Sequence, residues 1–388
     1  MDMKITKLEW FKIGVPRDQP YLGDPQPGDV ITKGGCIVRA GNNSIYSLKD
    51  NSLLVRATCE DGTVGWGECV TVVAPQVAEA VIEQILEPLV VGKCAMNVVQ
   101  IMEDLYNAMR VRGFWGGFYM DAICAVDIAL WDLKAKLLKL PLCQLLGGRR
   151  ADRLKAYVSG LPAPTEQARA EMAKRWQDKG FDAVKVPVIM NVQHPEREME
   201  SLRGALGPDA KILVDMHWKY TAQEAIKLID RMDAFDLYVA EAPCNAEDLE
   251  GQEQVARSVR TNVALGEELR TVYEFRPRFL HRCMNVIQPE MGRMGVTQFW
   301  NVCQMARAFH TLVMPHGSIG IGIFLAASLH ASAACSQFVM HEYQHSIVDK
   351  NLRYIKGNLR CEEGFFHLPE GPGIGVEPTE ETLEKFSF

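Results

Sequence analysis

Three acidic residues at equal spacing give the strongest chemical signal in this 388-residue sequence. Asp215, Glu241 and Glu267 lie 26 residues apart, and each ends a short apolar run that a helix-length amphipathic stretch follows. This rhythm is typical of repeated βα units, and a parallel barrel gathers the C-terminal ends of its strands on one rim. Three carboxylates on one rim repel each other unless a cation neutralises them. The spacing therefore predicts one Mg²⁺ site per subunit, because this ion prefers oxygen ligands.

Four further ionisable residues continue the same rhythm. Lys185 precedes the three acids by one unit, and Glu290, His316 and Glu342 follow them at intervals of 23, 26 and 26 residues. Each alone has a structural interpretation, as a helix cap, a surface lysine or a structural histidine. Because all lie where barrel strands would end, the shared rhythm favours a functional rim instead.

Two histidines are candidates for acid–base chemistry. His316 and Glu290 end neighbouring predicted strands, so we expect them to form a Glu–His dyad. His217 follows Asp215 by two residues, which in a strand places both side chains on one face, and we expect it to border the metal.

The elements that must position these residues form two modules. Residues 1–125 predict an α+β module with a hairpin turning at Asp61-Gly62, helical periodicity over 75–110 and a glycine- and proline-rich loop over 16–35. An apolar helix over 121–140 follows. The next part predicts eight strands, the number of a closed (β/α)₈ barrel of TIM type. The predicted strands are 155–161, 183–188, 211–216, 237–242, 263–267, 285–290, 311–316 and 338–343.

Composition excludes several classes of partner. The net charge of −7 disfavours nucleic acid, and we find no apolar stretch of membrane-spanning length and no signal-peptide core near Met1. The eleven cysteines are scattered without a CxxC motif, which favours reduced thiols over a disulfide framework. We therefore expect a cytoplasmic protein that binds neither nucleic acid nor membrane.

Longer motifs surround the rim residues. They are Ala125-Val-Asp-Ile-Ala-Leu-Trp-Asp132, Pro141-Leu-Cys-Gln-Leu-Leu-Gly147-Gly, Glu241-Ala-Pro243, Gly266-Glu-Glu268, Gln288-Pro-Glu290, Gly295-Val-Thr297 and Pro315-His-Gly317. With the ladder of acids, this pattern resembles the enolase superfamily, in particular the mandelate racemase group and its galactonate dehydratase-like acid-sugar dehydratases. The resemblance covers nearly the whole chain. It implies an α/β fold with a modified (β/α)₈ barrel at 126–350, and an α+β capping domain formed by 1–125 and completed by 351–388.

The resemblance also implies a role for each rim residue. Asp215, Glu241 and Glu267 resemble the Mg²⁺ ligands, and His316 with Glu290 resembles the catalytic dyad. Glu342 resembles an eighth-strand acid that contacts the substrate carboxylate, and Lys185 resembles the lysine that neutralises it. Family members are symmetric oligomers, so the resemblance implies a homo-oligomer between dimer and octamer.

One departure narrows the implied reaction. The racemase-type motif Lys-x-Lys is here Lys185-Val-Pro187, so the second lysine, the usual base, is missing. His217 instead matches the histidine that assists loss of hydroxyl in galactonate dehydratase-like members. This favours a dehydratase of an aldonate such as galactonate, lyxonate or fuconate, in which Lys185 or His316 removes the proton and the 16–35 loop closes over the site. The alternatives are a racemase or epimerase of a 2-hydroxy acid, and a non-catalytic sugar-acid-binding barrel.

Overall fold

The computed structural model describes residues 3–17, 23–41, 43–187 and 194–388. Within these ranges no helix is both long and apolar enough to cross a membrane. Residues 18–22 of the predicted lid lie outside the described part, and the rest of that loop includes a short strand, Val30–Ile31.

The N-terminal module is built on an antiparallel sheet in the order β1-β5-β6, with a smaller sheet β2-β3-β4 beside it. The predicted hairpin is confirmed, because β5 and β6 pair across the Asp61-Gly62 turn with Thr58 opposite Val64. The strands are β1 Ile5–Pro16, β2 Val30–Ile31, β3 Cys36–Val38, β4 Ile45–Ser47, β5 Lys49–Cys59 and β6 Val64–Cys69.

Helices cover one face of this sheet and lead into the barrel. The predicted helical region over 75–110 contains α1 Pro75–Val81, a π-helical turn Ile82–Leu86, α2 Glu87–Val90 and α3 Val98–Arg110. The predicted apolar helix is α4, Gly117–Leu137, which packs on β6 on one side and on a barrel helix on the other. A helix that is apolar around most of its circumference must be covered on both sides, which explains its position between the two modules.

The barrel strands run parallel in the order β14-β7-β8-β9-β10-β11-β12-β13. Each of the eight predicted strands has a counterpart. They are β7 Arg153–Ser159, β8 Ala183–Pro187, β9 Lys211–Asp215, β10 Leu237–Glu241, β11 Asn262–Leu265, β12 Val286–Ile287, β13 Leu312–Val313 and β14 His341–Tyr343. Between β13 and β14 the ring is bridged by Val313, which donates its N–H to Gln337 (2.9 Å) and accepts from the N–H of Val339 (3.0 Å).

Several strands are shorter than predicted, and for two of them the reason is a nearby proline. The predictions 285–290 and 311–316 reduce to Val286–Ile287 and Leu312–Val313. Pro289 and Pro315 follow these strands closely, and a proline has no N–H to donate to a ladder.

The helices that follow α4 in this part of the chain are α5 Leu142–Leu145, α6 Glu166–Asp178, α7 Pro195–Leu206, α8 Ala222–Asp233, α9 Leu249–Ser258, α10 Val272–His281, α11 Met291–Phe309, α12 Ile323–Ala334 and α13 His345–Asn351.

The C-terminal segment contacts both modules. Its hairpin extends the barrel sheet, because β17 pairs antiparallel with β7. The last residue returns to the N-terminal module, where the Phe388 N–H donates to the Lys12 carbonyl (3.2 Å). The elements are β15 Ile355–Lys356, β16 Arg360–Glu362, β17 Phe365–His367, β18 Glu377–Pro378 and α14 Glu380–Phe386.

Candidate active site

A layer of buried side chains fills the barrel below the rim, with one residue from each strand or from the position beside it. The layer consists of Tyr157, Ala183, Leu213, Val239, Ala264, Val286, Met314 and Met340. Side chains two residues apart in a strand share a face, so the residue two positions later also points into the barrel, one step closer to the rim. For seven strands that residue is polar: Ser159, Lys185, Asp215, Glu241, Gln288, His316 and Glu342.

Glu267 departs from this alternation by one residue. Gly266 holds the position two after Ala264, and it has a φ of +123°, in the region that favours glycine. A Cβ there would lie 2.7 Å from the Phe275 ring. The glycine thus changes the backbone direction, and the carboxylate of Glu267 reaches the rim from the next residue.

Lys185 lies between two carboxylates. Its Nζ is 2.7 Å from Glu241 Oε1 and 3.0 Å from Glu342 Oε1, and its side chain is only 4% exposed. Burial alone would lower the pKa of Lys185, but the Glu241 and Glu342 carboxylates raise it well above its ordinary value. In this arrangement the lysine is therefore held as an ammonium ion, which can bind an anion.

His316 joins three acids of the rim. Its Nδ1 is 2.6 Å from Glu290 Oε2, its Nε2 is 2.7 Å from Glu267 Oε2, and Glu342 Oε2 lies 3.6 Å from the same Nε2. Burial opposes the charged form, but the Glu267 and Glu342 carboxylates raise the pKa of His316 well above its usual range. Conversely, burial would raise the pKa of Glu267, and the His316 imidazolium holds it at about 2.

His217 reaches the rim by a different path from the one predicted. The expectation that it continues the strand of Asp215 is wrong, because β9 ends at Asp215 and His217 has a φ of +50°. The turn is fixed by the His217 N–H, which donates to Asp215 Oδ1 (2.8 Å), and it leaves the ring Nδ1 3.9 Å from Asp215 Oδ2. Although burial disfavours its charged form, hydrogen bonding and attraction to Asp215 raise the pKa of His217. The histidine thus retains a proton that it could donate.

The three predicted metal ligands end three adjacent strands, with Glu241 in register with Asp215. Burial raises the pKa of Glu241 to about 8 despite the Lys185 ammonium, and the carboxylates of Asp215 and Glu267 add to the rise. This accumulation of negative charge is what a divalent cation would relieve. The set of oxygen donors on adjacent strands therefore fits Mg²⁺.

In the side-chain arrangement seen among the described residues, no three acidic, histidine or cysteine side chains converge closely enough to hold a metal ion. The cause lies in the neighbouring contacts. Glu241 accepts from Lys185 and from Gln288 Nε2 (2.6 Å), and Glu267 faces His316. Metal binding at these acids therefore requires their side chains to exchange these partners for the ion.

Two site residues were not predicted as such. Gln288 donates to Glu241, and Ser159 hydrogen-bonds Glu342, whose other partners include the Gly317 N–H (3.0 Å). Both could have been found from the sequence, because each lies two residues after a buried barrel residue, in the same phase as Lys185. The eight predicted residues are all brought to the rim, although their chemical roles stay predictions.

Comparisons with known proteins identify the family. The mandelate racemase / muconate lactonizing enzyme N-terminal domain model matches residues 42–147, and the enolase C-terminal domain-like model matches residues 167–382. The chain belongs to the enolase superfamily. The superfamily fold, a capping domain and a TIM barrel, agrees with the architecture described above.

Individual relatives in this superfamily carry out more than one reaction. D-galactarolactone cycloisomerase of Agrobacterium fabrum is 29% identical over 349 residues, which covers 86% of this chain and 90% of that protein. D-galactonate dehydratase of Pectobacterium atrosepticum is 29% identical over 355 residues, covering 87% and 91%. The solved structure of an enolase-superfamily member from Agrobacterium tumefaciens has a TM-score of 0.96 and 45% identity, and the match covers 99% of both chains.

Proposed function

We propose that this protein is a Mg²⁺-dependent dehydratase of a sugar acid. It removes the proton α to the carboxylate, expels the 3-hydroxyl as water and yields a 2-keto-3-deoxy acid. The observation that carries the proposal is the pairing of one dyad-supported base, His316, with a lysine that two carboxylates keep protonated. The curated relatives named as dehydratases of gluconate, galactonate and arabinonate support the same class of substrate.

The substrate carboxylate carries the charge that must be stabilised. Asp215, Glu241 and Glu267 would hold Mg²⁺, which when bound supplies a Lewis acid for this carboxylate, and superfamily members generally use this ion. The Lys185 ammonium is the second positive group available to the carboxylate, and its burial strengthens the attraction. With the ion bound, Lys185 would share in stabilising the negative charge that develops on the substrate as its proton leaves.

Two histidines of the chain each carry out one of the two proton transfers. Glu290 Oε2 accepts the Nδ1–H of His316, which leaves Nε2 to take the proton from C2. In the present arrangement Glu267 Oε2 holds the Nε2 proton, so His316 can act as a base only when Glu267 has another cationic partner. His217, with its raised pKa, donates a proton to the departing 3-hydroxyl.

The second candidate function is a racemase or epimerase of a 2-hydroxy acid. The relative named as a cycloisomerase supports isomerisation as an alternative class of reaction. Racemisation requires a base on each face of the α-carbon. Here Pro187 replaces the second lysine of the racemase motif, and Lys185 is already bound by Glu241 and Glu342. The missing second lysine disfavours this reaction, and an intact dyad disfavours a non-catalytic binder.

A substrate screen tests the proposal. The protein with Mg²⁺ is incubated with a library of aldonate and aldarate stereoisomers, and 2-keto-3-deoxy products are detected with semicarbazide. We expect turnover on one stereochemical series, lost by about 10²-fold or more in His316→Asn. A blank across the library, with C2 proton exchange seen by NMR in D₂O and no loss of water, would instead support the racemase. Substantial activity in His316→Asn would refute its role as the base.

A further inference from the structure

We propose that Glu68, a carboxylate of the capping domain, is a positioning residue for the segment that carries His316. The inference rests on the proposed function for its catalytic consequence, and on contacts of the described residues for its structural part. Glu68 lies near the end of β6, outside the barrel, and among the described residues its hydrogen bonds reach none of the rim residues. Its effect on the reaction must therefore be exerted through the chain that it binds.

Two glycines bring Glu68 to the boundary between the modules. A Cβ at Gly65 would lie 2.2 Å from the Ala129 carbonyl oxygen, and one at Gly67 would lie 1.9 Å from that of Ala125. Only glycine at these two positions lets β6 lie directly against α4. The close approach pushes the next residue, Glu68, into the space beneath the segment that follows β13.

Glu68 is fully buried and all its hydrogen bonds reach other parts of the chain. Oε1 accepts from Ser52 Oγ (2.6 Å) and from the Ile321 N–H (2.7 Å). Oε2 accepts from the N–H groups of Ile323 (2.9 Å) and Phe324 (3.1 Å), which open α12. One carboxylate thus satisfies three backbone donors that the start of a helix and the turn before it would otherwise leave unpaired.

The same segment is held at its other end by the rim. His316 bonds Glu290 through Nδ1, and the Gly317 N–H donates to Glu342 Oε2 (3.0 Å). In its middle, the Gly320 carbonyl accepts from Asn351 Nδ2 (2.9 Å). A Cβ at Gly320 would lie 2.8 Å from Glu68 Oε1, so the segment is pressed closely onto the carboxylate.

Through these contacts Glu68 holds the segment that carries the proposed base, His316, without a hydrogen bond to the base itself. Ile321, the first residue whose N–H Glu68 binds, lies only five positions after His316 in the sequence. A catalytic base must be kept within a fraction of an ångström of its reacting geometry, and small displacements lower the rate of the chemical step more than substrate binding. Losing this support should therefore lower kcat more than it raises KM.

Glu68→Gln tests the support with little change of volume. Whichever way the amide is oriented, its NH₂ group faces at least one backbone N–H that has lost its acceptor. We expect kcat to fall by about tenfold or more, KM to change by less than about threefold, and the primary isotope effect of a C2-deuterated substrate to increase. Amide hydrogen exchange of residues 317–324 should accelerate.

The matched control is Asp132→Asn. Asp132 is also fully buried between the modules, where it accepts the N–H groups of Trp66 (2.8 Å) and Ile374 (2.8 Å) and pairs with Lys136 (2.9 Å). Among the described residues none of these partners belongs to the 316–324 segment. We expect a comparable fall in thermal midpoint with kcat within about twofold of wild type and unchanged exchange at 317–324.

Equal loss of kcat in both variants, or unchanged exchange at 317–324 in Glu68→Gln, would overturn the inference. The two proposals can also fail separately. If wild type dehydrates no sugar acid, the proposed function fails, and the exchange measurement still decides whether Glu68 holds the segment. If wild type is active and Glu68→Gln retains full kcat, the function stands and the positioning role fails.

Discussion

His217 differs from the other predicted rim residues because its backbone has a positive φ (+50°), on the turn that follows β9. His217 lies on the turn that follows β9, whereas His316 lies on the segment that follows β13, so the two histidines are carried by different parts of the barrel. The two histidines therefore suit two different proton transfers, and the second transfer can be removed without the first. We expect His217→Gln to lower product formation by about 10²-fold or more while C2 proton exchange with D₂O continues. His316→Asn should lose both, and parallel loss of both in His217→Gln would contradict this division.

Two adjacent glutamates give a sharp test of the metal site. Glu267 faces His316 across the rim, whereas both carboxylate oxygens of Glu268 are buried without a hydrogen-bond partner among the described residues. Burial raises the pKa of Glu268 to about 7, and this side chain is not one of the three proposed metal ligands. A ligand that binds only the folded state raises thermal stability.

We therefore expect Mg²⁺ to raise the thermal midpoint of wild type and of Glu268→Gln, and to have no effect on Glu267→Gln. Binding heats from titration calorimetry should follow the same order. A Mg²⁺-dependent shift in thermal midpoint that survives Glu267→Gln and disappears in Glu268→Gln would show that Glu268, and not Glu267, is the metal ligand.

At the scale of elements, the glycines of β6 set the distance between the capping domain and α4. Because a Cβ at Gly67 would lie 1.9 Å from a helix carbonyl, we expect Gly67→Ala to destabilise the fold by about 3 kcal/mol or more. Gly204, in α7, has no atom within 4 Å of such a Cβ, so Gly204→Ala should stabilise by about 0.5–1 kcal/mol. Thermal midpoints measure both, and similar midpoints for the two variants would refute the close approach.

The barrel elements were predictable because their signal is local and repeated. Each unit carries an apolar strand run, an ionisable residue and a helix, so Lys185, Asp215, Glu241 and His316 could be placed on one rim from spacing alone. Gln288 could have been added by the two-residue period of the strand.

Other features depend on contacts distant in sequence. The turn that carries His217 contradicts its strand-like spacing and is fixed by a hydrogen bond to Asp215. The three backbone N–H groups that bind Glu68 lie more than 250 residues away, and no sequence period relates β6 to α12. The short contacts that now occupy Glu241 and Glu267 likewise arise only when the strands are assembled.

At the scale of the whole molecule, buried carboxylates join the capping domain, α4 and the barrel. Asp127 on α4 accepts from the Thr297 N–H (2.8 Å) and Oγ1 (2.6 Å) of α11, and Gly295 leaves room for it. Burial raises the pKa of Asp127 from 3.8 to about 7, although the Thr297 bonds oppose the rise. This interface therefore contains a carboxyl group that prefers to keep its proton.

The direction of the pH effect follows from that shift. Between the unfolded pKa of 3.8 and the folded pKa of about 7, the folded protein binds a proton that the unfolded chain has lost. The stability that this proton contributes is complete below the unfolded value and is lost as the pH rises through the folded value. From pH 5.5 to the folded pKa of about 7 the loss amounts to about 2 kcal/mol at a single site, since each pH unit below that pKa is worth about 1.4 kcal/mol, and little more is lost up to pH 8.

Asp127→Asn mimics the protonated carboxyl and removes this dependence. We expect the thermal midpoint of wild type to fall relative to Asp127→Asn as the pH rises from 5.5 to 8, with the two closest together at the acidic end. Asp152, an exposed residue paired with Arg149, provides the control, and Asp152→Asn should stay parallel to wild type. Parallel curves for wild type and Asp127→Asn would show that Asp127 is already ionised in the folded protein, in which case the α4–α11 interface holds a charge that Thr297 and the neighbouring N–H groups are sufficient to stabilise.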